Sequence, residues 1–150
     1  MKSNHNSNAS DFIREKLQAQ GGRATVYTLQ GLPCEIWLGQ DEKTLISNKL
    51  PITPPYRLEV FDLIVELLQA NGGRARKGNG RNYKLGDPHC DDTTVVGYVA
   101  SHYSRKKPGD SVFDPVFVFA AILEWADIAH NGRGELFLTP AWYARLNGNS

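Results

Sequence analysis

The sequence predicts an α+β fold: one domain of four to five helices with short β-hairpins. Three observations carry this. Apolar residues recur at helical spacing in stretches that end at glycine. Short β-compatible runs flank Gly-rich turns, a hairpin signal. The chain also resembles itself: residues 12–24 read FIREKLQAQGGRA and residues 63–75 read LIVELLQANGGRA. With 150 residues there is enough chain for one core without staples.

Taken in order, Met1 to Ser10 is Asn/Ser-rich and carries no apolar h-region, so it reads as a disordered leader rather than a secretory signal. The globular domain is expected over 11–150. The first repeat spans about 12–40: a helix, the Gly21-Gly22 cap, TVYTL, a turn at Gln30-Gly31-Leu32-Pro33, then CEIWLG. Glycine ends a helix in left-handed conformation without a Cβ penalty. Asp41 to Asn48 reads as a short helix capped by Asp41. Pro51, Pro54 and Pro55 then break the chain, since the residue before a proline avoids the α region.

The second repeat, about 63–88, begins in a helix over Arg57 to Ala70. Leu58, Phe61, Ile64, Val65 and Leu68 form its apolar face. Arg76-Lys77, Gly78-Asn79-Gly80 and RNYKLG supply the expected second hairpin, and both second arms end in Leu-Gly. A third helix is expected over Asp92 to Ser104, capped by Asp91 or Asp92. Asp114-Pro115 opens a fourth, to Ala129, apolar almost all round and therefore buried. A weaker third echo, ILEWADIAHNGRG at 122–134, runs on into a strand at Glu135–Leu138, giving a repeat of about 122–138. Thr139-Pro140 opens a last helix with Trp142, Tyr143 and Leu146. Trp37 and Trp125 are expected in the core.

Composition narrows the function. The net charge is +1 and 41% of residues are hydrophobic, which excludes a polybasic tail protein, a bulk DNA coat and a disordered chain. The longest apolar run, Val116 to Leu123, falls far short of the ~20 residues of a membrane span. Cys34 and Cys90 show no paired spacing, and reduced thiols point to a cytoplasmic protein.

The charge is unevenly placed. Arg74, Arg76, Lys77, Arg81 and Lys84 fall within eleven residues that hold no acid. Gly78 and Gly80 give the backbone room for a close partner, and Asn79, Asn82 and Tyr83 offer hydrogen bonding or stacking. Arg105, Lys106 and Lys107 make a second cluster. Such a basic hairpin resembles the wing of winged-helix DNA-binding domains, and the order of elements loosely resembles theirs. That resemblance implies cations laid along phosphates. The plain alternative is a solvated edge, because Lys and Arg protect exposed strands from pairing.

Other chemistry is weaker. His89-Cys90-Asp91-Asp92 has metal-ligand types, with His102 within reach across a helix, but zinc sites show two close pairs and only one exists here. Turn and cap chemistry explains those aspartates better. His5 lies in the leader and His130 ends a helix, where its charge suits the dipole. Asp41-Glu42-Lys43 has nuclease-like residue types, but neighbours on a helix point apart. No nucleophile elbow, Walker loop or HExxH motif occurs. The sequence thus predicts no catalytic residue, cofactor or metal. It points to a nucleic-acid-binding domain contacting phosphate through the basic hairpin, with Arg105–Lys107 as auxiliary contacts. The alternative is a protein-interaction or assembly module, and an enzyme centred on Asp91, Asp92 and His102 stands third.

Overall fold

The computed structural model describes residues 8–50 and 55–147. Helix α1 (Ala9–Gln18) leads into strands β1 (Arg23–Tyr27), β2 (Pro33–Leu38), β3 (Thr44–Ser47) and β4 (Tyr56–Arg57). Helix α2 (Glu59–Ala70) and strand β5 (Arg74–Arg76) follow, then α3 (Val95–His102) and α4 (Val116–Trp125). Strands β6 (Ala129–Asn131) and β7 (Glu135–Leu138) precede α5 (Pro140–Asn147). The result is an α+β domain with five helices among the described residues and two antiparallel sheets, ordered β1-β2-β3-β4 and β5-β7-β6.

The helix boundaries follow local chemistry. Asn8 caps α1 by accepting the N–H groups of Ser10 and Asp11, so Ala9 and Ser10, expected in the leader, belong to the helix. Ala9 and Ser10 are buried in that first turn. Residues 1–7 lie outside the described chain, as do Pro51 and Pro54 of the proline break. In α3 the cap is Thr94, not Asp91 or Asp92: its buried hydroxyl accepts the Gly97 N–H and donates to the Asp91 carbonyl. Thr139 caps α5 as expected, accepting the Trp142 N–H at 3.0 Å.

Two larger expectations are also corrected. Residues 41–48 do not form a helix. Asp41 accepts the N–H groups of Lys43 and Thr44 and the Thr44 hydroxyl, closing a turn that feeds β3, where Leu45 and Ile46 pair with Leu38 and Trp37. Asp41 is thus a turn residue, and β-branched Thr44 and Ile46 favour the strand. Second, residues 81–85 form no strand, so the basic segment is not a two-stranded wing. β5 pairs with β7 instead, Arg74 facing Phe137 and Arg76 facing Glu135.

Even so, the helix–Gly-Gly–strand junction recurs in atomic detail. Gly22 donates to the Leu17 carbonyl and Gly73 to the Leu68 carbonyl, at 2.8 and 2.7 Å. All four glycines of the two pairs have φ between +74° and +99°. The third echo does not keep its expected alignment: one helical turn earlier, and without glycine, Ile128 donates to the Leu123 carbonyl across Asp127, whose φ is +57°. There α4 stops at Trp125, and residues expected to be helical form β6.

The core gathers where α2 meets α1 and α3, with α4 behind. Ile13, Leu17, Phe61, Ile64, Leu68, Phe119 and Ile122 are fully buried. Phe61 meets Phe119 edge-on at 5.4 Å. Trp142 is buried against Phe12, docking α5 on α1. Trp37 and Trp125 are only half-buried, with Arg23 and Lys16 over their rings. No helix among the described residues is long and apolar enough to cross a membrane.

Candidate functional site

The eight sequence-predicted cations part company in the fold. Arg74 forks onto the Glu135 carboxylate at 2.8 Å and lies over the Phe137 ring at 5.2 Å. Arg76 donates to the Pro88 carbonyl and the Thr93 hydroxyl. Lys77 is half-buried and donates to the Asn131 side-chain oxygen. Burial holds its ammonium pKa below the ordinary lysine value. These three belong largely to the second sheet's own network.

Arg81 and Lys84 are different. Both are exposed and neither has an ion-pair partner among the described residues. Their loop is built by Asn79, which accepts the Arg81 and Asn82 N–H groups, and by Asp114, which accepts the Gly80 N–H at 3.0 Å. The glycines serve the chain itself rather than a partner: a Cβ on Gly78 or Gly80 would meet Thr94, Val96 or Val112 at 2.6–2.9 Å. Leu85 exchanges backbone hydrogen bonds with Gly109 and Asp110. This sets Lys84 beside the loop carrying exposed Arg105, Lys106 and Lys107.

Arg81 and Lys84 line a cavity of about 600 Å³ with Lys49, Asn82, Tyr83, Val112, Phe113, Asp114 and Phe117. A second lobe of about 530 Å³ lies between the β1–β2 turn and Lys77. Both lobes have Lys49, Arg81 and Phe117 in their walls, so they adjoin, and the pair is termed the groove. Its walls hold four cations, Lys49, Lys77, Arg81 and Lys84, against one carboxylate, Asp114. Each Asp114 oxygen already accepts a backbone N–H, from Gly80 and from Val116.

The walls are also apolar where a surface is normally polar. Leu29 and Leu32 on the β1–β2 turn, Phe113, and Phe117 are 41–57% exposed. Sequence reasoning missed Lys49, Phe113, Phe117 and the two leucines. Phe117 sits in a helix whose apolar run predicted burial all round, and the tertiary placement of Lys49 left no local signal.

The remaining motif resolves into local structure. His89 stacks on Tyr83 at 4.1 Å and its ring nitrogen meets Asp87 at 2.8 Å. The His89 backbone N–H and ring lower the Asp87 pKa. Cys90 is buried, Asp91 binds Thr93, and His102 lies on Tyr98, so these side chains do not converge. Among the described residues no three His, Cys, Asp or Glu side chains gather to hold a metal. No protein-family model, no curated protein and no solved structure matches the chain.

Proposed function

We propose that this chain is a small nucleic-acid-binding domain that contacts phosphate through the groove containing Arg81, Lys84 and Lys49. The carrying observation is the charge of the walls, four cations to one carboxylate whose oxygens are already hydrogen-bonded. Cations without partners attract phosphate and release its counterions on contact. Arg105, Lys106 and Lys107, on the loop whose Gly109 and Asp110 pair with Leu85, are the auxiliary contacts of this reading. Arg74 and Arg76 contribute less, because their guanidinium groups are engaged within the fold. The buried free thiols of Cys34 and Cys90 support a reducing, cytoplasmic setting. We read the recurring helix–Gly-Gly–strand junction as duplication of one packing unit, with the basic loop added to its second copy.

A protein-interaction module is the second reading, and the exposed Leu29 and Leu32 favour it. Fluorescence anisotropy with labelled oligonucleotides at low and physiological salt separates the two. Nucleic-acid binding predicts association that is strongest at low salt and weakens steeply as salt rises. Absence of binding at low salt removes the reading.

A further inference from the structure

We infer that the groove takes a single strand rather than a duplex, with an unpaired base laid on the ring of Phe117; this rests on the nucleic-acid reading above. Phe117 is the exposed apolar residue of α4. Val116, Val118, Phe119, Ala120 and Ala121 are buried, while Phe117 is 41% exposed. Its ring lies in the wall common to both lobes, together with Lys49 and Arg81, and Phe113, 54% exposed, lines the first lobe. An aromatic face between cations is what a strand without fixed pairing needs: bases stack on the ring while phosphates follow the charges. In a duplex the base faces are stacked inside, so its phosphates reach the cations but no base reaches Phe117.

The test uses the whole chain and three labelled probes of equal length: an oligothymidine strand, the same strand with abasic sites throughout, and a blunt duplex. The thymidine strand should bind about tenfold tighter than the abasic strand, the phosphates being the same. Phe117→Ala and Phe117→Leu should erase that difference without changing the salt slope, and Phe117→Trp should keep it. Thermal melts confirm that each variant folds. Equal binding of thymidine and abasic strands, or indifference to Phe117→Ala, overturns the stacking while leaving phosphate contact standing. A duplex bound more tightly than the strand overturns it too. If none of the three probes binds at low salt, the nucleic-acid reading itself falls. Salt-sensitive binding of an acidic, leucine-bearing peptide, lost in Phe117→Ala, would then assign the groove to a protein.

Discussion

Leu138 donates its backbone N–H to the carbonyl of Gly73 at 2.8 Å, and Leu38 makes the same bond to Gly22. Each glycine therefore does two jobs: its N–H closes the helix, and its carbonyl starts a strand pairing. Arg23 faces Trp37 and Arg74 faces Phe137 one residue further on, with each guanidinium over its ring. The junction is the same in both places, but the partner residue is 14 positions on in one case, Arg23 to Trp37, and 63 in the other, Arg74 to Phe137.

Positive φ at both junctions makes side chains costly there. Gly22→Ala and Gly73→Ala should each lose about 1 kcal/mol or more, since φ is +89° and +99°. Gly73→Ala should cost more, because its Cβ would meet the Tyr143 ring at 2.9 Å whereas Gly22 faces open space. Tyr143 is 41% exposed and can move, so the excess should be modest. Urea midpoints decide it, and a Gly73 variant as stable as the parent would remove the cap.

Gly97 should be far less tolerant. A Cβ on it would lie 1.9 Å from the Asp91 carbonyl oxygen and 2.8 Å from the Cys90 carbonyl carbon. Those are backbone atoms and cannot swing aside. Gly97→Ala should cost about 3 kcal/mol, the upper end for overpacking, even though alanine is the better helix former. A gain in stability on urea titration would show that the 90–91 turn does not close over α3.

Much of this architecture was legible in the sequence, and the failures share one cause. The first hairpin, α2, β7 and the Thr139 cap follow from local pattern, because turn residues and apolar spacing act over a few residues. The partner of β5 does not: RNYKLG has strand-like residues, yet Asn79 draws the Arg81 and Asn82 N–H groups into a turn. Asp41 shows the same limit, since an Asp that accepts two N–H groups opens a helix or closes a turn with equal ease. Of the groove's cations, the sequence supplied Lys77, Arg81 and Lys84. Lys49 and Phe117 join them only through tertiary contact.

Alkaline stability should depend on Tyr56. Its phenol is pushed up to about 12, first by burial and then by Tyr103 and Asp114. An unfolded tyrosine titrates near pH 10, so between about 10 and 12 the native state holds a proton that the unfolded state has lost. Stability must fall as pH rises through that window, while the contribution is complete below it. The loss is about 2 kcal/mol by pH 12. Tyr98, also raised to about 12 by burial and its bond to Glu66, acts in the same direction. Lys77 acts oppositely. Its lowered pKa means the unfolded state holds more protons just below the ordinary lysine value, so stability rises there with pH. Denaturant melts from pH 8 to 12 should show a smaller high-pH decline in Tyr56→Phe than in the parent. An unchanged decline would exclude Tyr56 as its source.

The salt dependence of binding should separate the groove from β5. Arg81 and Lys84 have no ion-pair partners among the described residues, so each is available to displace one counterion from phosphate. Arg81→Ala with Lys84→Ala should reduce the slope of log K against log salt by about 1.4 to 1.8, the range for two contacts on a single strand or a duplex. Arg74→Ala with Arg76→Ala should reduce it by less than half as much. Arg74 is already neutralised by Glu135, and a phosphate contact there would require breaking that fork. The second pair should instead show a small loss of stability, within about 1 kcal/mol for an exposed ion pair. Replacing Arg105, Lys106 and Lys107 together tests whether the adjoining loop takes part, and a slope unchanged by that triple substitution would confine the contact to the groove. Should the Arg74/Arg76 pair carry most of the slope, the phosphate path would run along β5 and the groove would lose its role.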